Sequence, residues 1–267
     1  LLPAAAGSGW RFGPADSIYP DYLADPRRSD LSAAQMWVPD SDFVDRFDTA
    51  SSRFDLHLGE RIPIARWEHP RAGAVEVAME GAFFGQFDQD SSLDNLGWDG
   101  WYGGVLAWRP DPRWALKLHY RHLSSHLGDE LIENTGRRRS DYTREDLTIG
   151  AALQTPGGWG TVYAEAGWAL RLSSSSQEDG YAQAGWQLQD AEPAWGPYRR
   201  YAALDLQFFE EEDWEPATSL QVGLLRPAER VGEALRLAAN IYHGRMQVGE
   251  LREFDETTIS LVLGWDF

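Results

Sequence analysis

The sequence contains no cysteine, so disulfide bonds, thiolate catalysis and cysteine-bound zinc are all excluded. Basic residues are scarce beside acidic ones, 24 Lys and Arg against 42 Asp and Glu, and the formal net charge is −18. A chain this acidic does not suit nucleic acid as a partner. The sequence also lacks any run of about 18 apolar residues, which excludes a membrane-spanning helix.

Aromatic residues, in contrast, are abundant: 13 Trp, 10 Tyr and 11 Phe among 267 residues. That length suits one large all-β domain or two smaller ones. The mean hydropathy of −0.47 is typical of a soluble protein. One membrane class shares such a value, because the strands of an outer-membrane barrel show lipid only on every second residue.

Alternation of apolar and polar residues is the dominant pattern. In T-I-S-L-V-L-G-W-D-F, close to the end of the chain, Ile259, Leu261, Leu263 and Trp265 share one face. The same period of two recurs in V-Y-A-E-A-G-W-A-L-R-L and in A-L-D-L-Q-F, whereas no stretch shows a convincing helical period. We count about twelve such segments and interpret each as a strand.

The connections decide between a soluble sandwich, whose strands also alternate, and a membrane barrel. Every second connection is short and carries proline, as in R-P-D-P-R and Q-T-P-G-G, and the others are longer and mostly acidic, as in G-D-E-L-I-E-N-T-G. Short turns alternating with long loops are the layout of an up-and-down outer-membrane barrel. We therefore predict an all-β protein, a transmembrane antiparallel barrel of about twelve strands in the bacterial outer membrane.

The two ends of the chain carry further signals. Residues 1–30 show no clear strand, and we expect an N-terminal extension that plugs the barrel from the periplasmic side or lies along its rim. Its beginning, L-L-P-A-A-A-G-S-G-W, is typical of a mature terminus left after removal of a secretory signal. Residues 31–267 form the predicted barrel, and its terminal Phe267 matches the residue that the barrel-insertion machinery usually recognises.

The polar strand faces would line the lumen of such a barrel, and they carry charges of both signs. With about twelve strands the bore is narrow enough for paired long side chains to fill it. We expect an occluding network of ion pairs rather than a selective pore, with a narrow channel as the alternative. The expected participants are Lys117, Arg121, Arg171 and Arg236 with Glu76, Glu80, Glu165 and Asp205.

The stretch Y-R-H-L-S-S-H-L-G-D-E places polar side chains on a face that should meet lipid. Trp114 and Tyr120 mark the apolar face of this strand, and the period of two carries His122, Ser124 and His126 onto the same face. Polar groups that face hydrocarbon are costly, which makes them candidates for function.

The spacing of these residues favours a nucleophile and a base over a metal site. His122 and Ser124 lie roughly 6–7 Å apart at Cα, within reach of a hydrogen bond, whereas His122 and His126 are about 13 Å apart and cannot share a metal without a bulge. On the following strand, parity places Glu145 on the same face at the height of His122. We predict Ser124 as nucleophile, His122 as general base with His126 as the alternative base, and Glu145 as the group that orients the imidazole.

Two stretches carry family resemblances. Y-L-A-D-P-R-R-S-D-L-S-A and H-L-S-S-H-L-G-D-E-L resemble a bacterial family known as domain of unknown function 1207, which supplies no activity. The His-x-Ser pattern at the outer end of a strand is similar to that of outer-membrane phospholipase A and the lipid A deacylases. In those families the pair faces lipid, and a polar residue on the next strand orients the histidine. The resemblance implies a hydrolase of phospholipid or lipid A esters; both families commonly place Asn after that serine, where this chain has Ser125.

Calcium is an expected cofactor of such a hydrolase. Loop amides around Gly128, or a Ca²⁺ ion bound by the loops, would stabilise the oxyanion. The acidic loops could also bridge through divalent ions to the phosphates of lipopolysaccharide.

A second interpretation stays open. Strand ends emerge among lipid headgroups, where His and Ser cost little. The protein would then be a structural or complex-forming barrel without enzymatic activity, and its partners would be outer-membrane lipids, lipopolysaccharide and unidentified proteins.

Overall fold

The computed structural model describes residues 8–174, 177–227 and 234–266. Within these ranges the strands are β1 (Gly9–Phe12), β2 (Leu31–Ser41), β3 (Ser52–His69), β4 (Gly73–Asp88), β5 (Asp94–Arg109), β6 (Trp114–Leu127), β7 (Thr143–Gln154), β8 (Gly160–Leu172), β9 (Gly180–Gln189), β10 (Arg199–Phe209), β11 (Ala217–Pro227), β12 (Ala234–Arg245) and β13 (Asp255–Asp266). Two short helices, α1 (Asp42–Phe47) and α2 (Asp129–Thr135), lie in loops. None of the helices in these ranges has the length and apolar character needed to cross a membrane.

Twelve strands, β2 to β13, close into an antiparallel barrel. Each pairs with the next along the chain, and β13 returns to pair with β2 through partners such as Trp265 and Leu31. Closure of this kind gives the first and last strands a hydrogen-bonded neighbour on both sides. The predicted all-β fold and the count of about twelve strands are confirmed.

The connections alternate in length around the barrel. Residues 70–72 and 110–113 are turns at one end, here called the short-turn end, and residues 128–142 and 246–254 are loops at the opposite, long-loop end. Strand β6 therefore runs from the short-turn end to the long-loop end. Most connections follow this alternation, but residues 190–198 at the short-turn end form a longer connection than residues 173–179 and 210–216 at the long-loop end.

The polarity of the wall is inverted relative to a soluble protein. On β13, Ile259, Leu261 and Leu263 are exposed on the outside, whereas Thr258 and Ser260 are buried inside. Strands that meet lipid outside and polar side chains inside have this pattern. The period of two in the sequence therefore gives the correct face for each of these residues.

The segment between β1 and β2 lies in the lumen. Ile18, Tyr19 and Tyr22 are buried against inward-facing residues of β4 to β8. Tyr22 stacks on Tyr163 with 3.5 Å between the ring centroids. The inward positions around these rings are occupied largely by small side chains, Ala78, Ala107, Ala115 and Ala152. Strand β1 itself pairs with β3 at the short-turn end.

Ion pairs occupy much of the remaining lumen. Lys117 pairs with Glu165, and Arg236 pairs with Asp30 of the N-terminal segment. Glu76 and Glu80, which we expected to pair with cations, bind arginines of β3 that the prediction did not include, Arg66 at 2.7 Å and Arg61 at 3.1 Å.

Other members of the expected network have different partners. Arg121 pairs with Asp146 at 3.0 Å. Asp205 accepts hydrogen bonds from Tyr163 and Gln183, at 2.6 and 2.8 Å, in place of an ion pair.

The prediction that Arg171 lines the lumen was wrong. Arg171 is opposite Glu145 and Ala169 is opposite Asp146, so β8 carries one extra residue, Leu170, at a β-bulge. A bulge shifts the side-chain parity of the residues beyond it. The Arg171 side chain is therefore 78% exposed on the outside of the barrel.

Loops cover the long-loop end. Apolar side chains from α1, α2 and the neighbouring loops form one buried cluster, which we call the loop lid: Phe43, Ala50, Leu96, Leu127, Leu131, Met246, Val248, Leu251 and Phe254. Arg27 of the N-terminal segment reaches Asp99 beneath the lid at 2.6 Å. At the base of the lid, burial raises the pKa of Tyr142 to about 12, and its hydroxyl donates to Glu211. The lumen is thus filled by the N-terminal segment and closed by the loops. Phe267 lies outside the described residues.

Candidate functional site

The candidate residues lie on the outward face of β6, near the long-loop end. His122, Ser124 and His126 are partly exposed and alternate with Leu123 and Ser125, which are buried inside. This is the face that the period of two predicted for them. The face is otherwise apolar or aromatic, so the three polar side chains form a distinct strip.

Ser124 contacts one of the two histidines. Its Oγ lies 3.0 Å from Nε2 of His126, within hydrogen-bond distance. The His126 ring stacks on Trp98, its neighbour on β5, with 4.2 Å between the ring centroids. Trp98 therefore fixes the plane of the imidazole, and Nε2 points along the strand toward the serine.

The other histidine contacts the carboxylate. Nδ1 of His122 lies 3.4 Å from Oε1 of Glu145, and both side chains are 23% exposed. The two residues are direct register partners on β6 and β7. Tyr102 of β5 flanks the other side of the His122 ring at 5.0 Å. A carboxylate at Nδ1 favours the tautomer in which Nε2 is free to accept a proton.

The structure brings all four predicted residues onto one surface but distributes their contacts over two histidines. The hydroxyl contact is made by His126, which we predicted as the alternative base, and the carboxylate contact is made by His122. Ser124 lies between the two along the strand. A change of its χ1 rotamer would move Oγ between them.

Gly100 was not singled out in the sequence, yet it shapes the surface beside the serine. It is the register partner of Ser124 on β5. Because it has no side chain, it interrupts the row of side chains on this face of β5 between Trp98 and Tyr102, and we call this position beside Ser124 the slot. A Cβ atom at this position would lie 3.3 Å from the Trp98 ring. A glycine inside a strand often marks a place where a ligand or another backbone approaches closely. The glycine within this strand was therefore the sequence signal that could have identified this part of the site.

Arg171 was also missed as a component of this surface. The bulge on β8 places its guanidinium 3.9 Å from Oε1 of Glu145. The strip thus continues from β6 through Glu145 on β7 to Arg171 on β8.

The amide of Gly128 does not fit the expected role of stabilising an oxyanion. Gly128 is buried, and its N–H donates to the carbonyl of Leu96 at 3.1 Å, so this amide is not free for an oxyanion. In the part of the chain that the structure describes, no group of three or more His, Asp or Glu side chains is arranged to hold a metal ion. The expectation of loop-bound calcium therefore has no built site in that part.

Comparison with known structures defines the class. The chain resembles outer membrane phospholipase A from Escherichia coli, with a TM-score of 0.59 and 11% identity over 88% of this chain and 92% of that one. It also resembles the Salmonella typhi outer membrane phospholipase dimer with bound calcium, with a TM-score of 0.58 and 12% identity over 90% and 93% of the two chains. The transport unit of the autotransporter AIDA-I from Escherichia coli matches with a TM-score of 0.46 and 12% identity over 95% and 94%. At these identities the two phospholipase matches establish the fold alone, a closed barrel like those of bacterial outer-membrane proteins.

The sequence itself places the chain in a family. Residues 12–259 match the family described as "Protein of unknown function (DUF1207)", and the chain belongs to it. No curated protein matches the sequence. The family description assigns no activity, so the functional argument rests on the site.

Proposed function

We propose that the protein spans the bacterial outer membrane and hydrolyses an acyl ester of phospholipid or lipid A in the outer leaflet. The observation that carries this proposal is the hydrogen bond between Ser124 Oγ and His126 Nε2 on the outward face of the barrel. A substrate that reaches this face from the membrane is a lipid, because aqueous substrates do not enter the hydrocarbon region.

The chemistry follows from the contacts. Ser124 is the nucleophile, and an imidazole that accepts its proton activates it. His126 is the base in the observed geometry. His122 carries the carboxylate contact with Glu145 that stabilises an imidazolium ion, as in a Ser-His-acid triad. We place the ester group beside the serine at Gly100, which carries no side chain.

The position of the strip supports a lipid substrate. Tyr102 lies beside the strip, opposite His122, and Trp168 lies just below it; they are 62% and 57% exposed. Amphipathic aromatic side chains mark the level of the headgroups in membrane barrels. The ester bonds of a lipid lie between its headgroup and its acyl chains, so the strip and the scissile bonds share this depth.

A barrel with a purely structural role is the second candidate, and the filled lumen favours it over a channel. The N-terminal segment and the ion pairs occupy much of the lumen, and the loop lid covers the long-loop end. That filling is compatible with both candidates. The polar strip on the outer face is the feature that distinguishes the two candidate functions.

The test is lipid hydrolysis by the purified protein in detergent, with and without calcium. Phospholipid and lipid A are supplied separately, and released fatty acid is measured. Ser124→Ala is expected to lose at least about a thousandfold in rate. His126→Gln and His122→Gln are compared directly, and the larger loss identifies the base. Glu145→Gln should slow the reaction less than removal of the base.

The matched control is His243→Gln. His243 is another outward-facing histidine near the long-loop end, and its Nδ1 lies 3.0 Å from the Thr257 hydroxyl. Its replacement should leave hydrolysis unchanged. Absence of fatty-acid release from every lipid, or full activity of Ser124→Ala, would leave the strip without a catalytic role and return the protein to the structural candidate.

A further inference from the structure

Arg171 has an unusual position for a basic residue. It is the second-last residue of β8, at the long-loop end, and the bulge at Leu170 turns it to the outside of the barrel. An arginine that faces lipid is costly unless its head reaches the polar interface or a partner. The bulge therefore costs free energy, because it turns Arg171 outward. A regular strand, with Arg171 directed inward, would avoid this cost.

The partner on the protein leaves most of the guanidinium unused. Glu145 Oε1 is 3.9 Å away, beyond a hydrogen bond, and the same carboxylate is closer to His122. Among the described residues, the Arg171 side chain makes no hydrogen bond. A guanidinium offers five N–H donors in a planar fork, and that fork matches the oxygens of a phosphate.

The distance to the serine suits one lipid molecule. Arg171 and Ser124 are two strands and about two residues apart, which corresponds to roughly 12 Å at Cα. The long arginine side chain spans part of that distance. In a glycerophospholipid the phosphate and the acyl esters are attached to the same glycerol unit, so a phosphate at Arg171 would place an ester near Ser124.

We propose that Arg171 binds the phosphate of the lipid substrate and thereby sets the substrate class of the site to phosphate-bearing lipids. This inference rests on the proposed hydrolysis for its kinetic part, but the binding part does not depend on catalysis. The bulge on β8 is then the structural device that adds a headgroup contact to the catalytic strip.

The kinetic experiment compares two substrates with identical acyl chains, a phosphatidylglycerol and a diacylglycerol that lacks the phosphate. Wild type should favour phosphatidylglycerol. Arg171→Gln is expected to raise KM for phosphatidylglycerol about tenfold, to change kcat by less than about threefold, and to leave diacylglycerol hydrolysis unaffected. Equal losses on both substrates, or no loss on either, would overturn the assignment while leaving the Ser124 hydrolase intact.

The binding experiment uses Ser124→Ala protein, with and without Arg171→Gln, and native mass spectrometry to count bound lipid. Arg171→Gln should weaken retention of phosphatidylglycerol but not of diacylglycerol. If wild type hydrolyses neither lipid, the binding experiment still determines whether Arg171 binds phosphate. Tight binding of inorganic phosphate alone, at micromolar concentration, would indicate a soluble-anion site and contradict a lipid headgroup.

Arg200→Gln is the matched control for both arms. Arg200 is comparably exposed on β10 at the short-turn end and pairs with Asp190 at 2.9 Å. Its replacement should change neither KM nor lipid retention. A loss equal to that of Arg171→Gln would mean that any exposed arginine on the barrel recruits anionic lipid.

Discussion

At the scale of single residues, the site depends on which side chains the pleat directs outward. The period of two along β6 is sufficient to place His122, Ser124 and His126 on one face. A shift of the strand register by one residue would move all three side chains to the other face together. Parity does not specify rotamers. The division of contacts, with the hydroxyl at His126 and the carboxylate at His122, is a property of side-chain packing that the spacing of residues cannot predict.

Gly100 offers a direct residue-scale test of the slot beside the serine. Gly100→Val should reduce hydrolysis at least about tenfold, because a Cβ there already approaches the Trp98 ring at 3.3 Å and the branched methyl groups would fill the space needed by the ester. Val suits a strand, so the fold should persist. Fatty-acid release is the measurement.

Gly104→Val is the control for that change. Gly104 lies on the same outward face of β5, opposite Tyr120, and a Cβ at this position would meet no atom within 4 Å. It should retain wild-type activity. If Gly100→Val is equally active, the ester does not bind in the slot.

At the scale of elements, the sequence predicted the strands well and their irregularities poorly. Short proline-bearing turns alternating with long acidic loops were enough to predict the barrel layout, because each connection type reports the end of the barrel to which it belongs. The bulge at Leu170 left no comparable signal, since L-R-L continues the apolar and polar alternation. A bulge depends on the pairing of β8 with β7, and pairing registers are not visible in one strand alone.

The N-terminal segment illustrates the same limit. Its lack of alternation excluded a strand, but its position inside the barrel depends on space left by small residues on four different strands, β4 to β7. The ion pairs show this too: Glu76 and Glu80 were expected to bind cations, yet their pairing with Arg66 and Arg61 follows from the register of β3 with β4.

Tyr22 tests how strongly this segment stabilises the barrel. Tyr22→Ala should lower the free energy of unfolding by about 3–5 kcal/mol, the usual cost of removing a large buried side chain. The ring stacks on Tyr163, and the hydroxyl lies 2.5 Å from that of Tyr19. Urea unfolding in detergent, followed by tryptophan fluorescence and circular dichroism, measures the change.

Tyr102→Ala is the comparison, because Tyr102 is exposed on the outside of the wall. Its effect on stability should stay below about 1 kcal/mol. Equal destabilisation by the two variants would show that the segment is only loosely held in the lumen.

At the scale of the whole molecule, the inside and the outside of the barrel have different roles. Its interior is filled and its long-loop end is closed, so the inside stabilises the fold. Its outside carries an apolar wall interrupted near the long-loop end by the strip from His126 to Arg171. We therefore expect the chemistry on the outer surface and predict that the protein acts on the membrane that surrounds it.

The most direct measurement of that claim is covalent labelling of the purified wild-type protein with a fluorophosphonate, in detergent, with and without calcium. An activated serine displaces fluoride from such a reagent and retains the phosphonyl group. We predict a single adduct per chain, mapped by peptide mass spectrometry to Ser124 and absent from Ser124→Ala. No adduct in either condition, or an adduct at another residue with Ser124 unmodified, would contradict it.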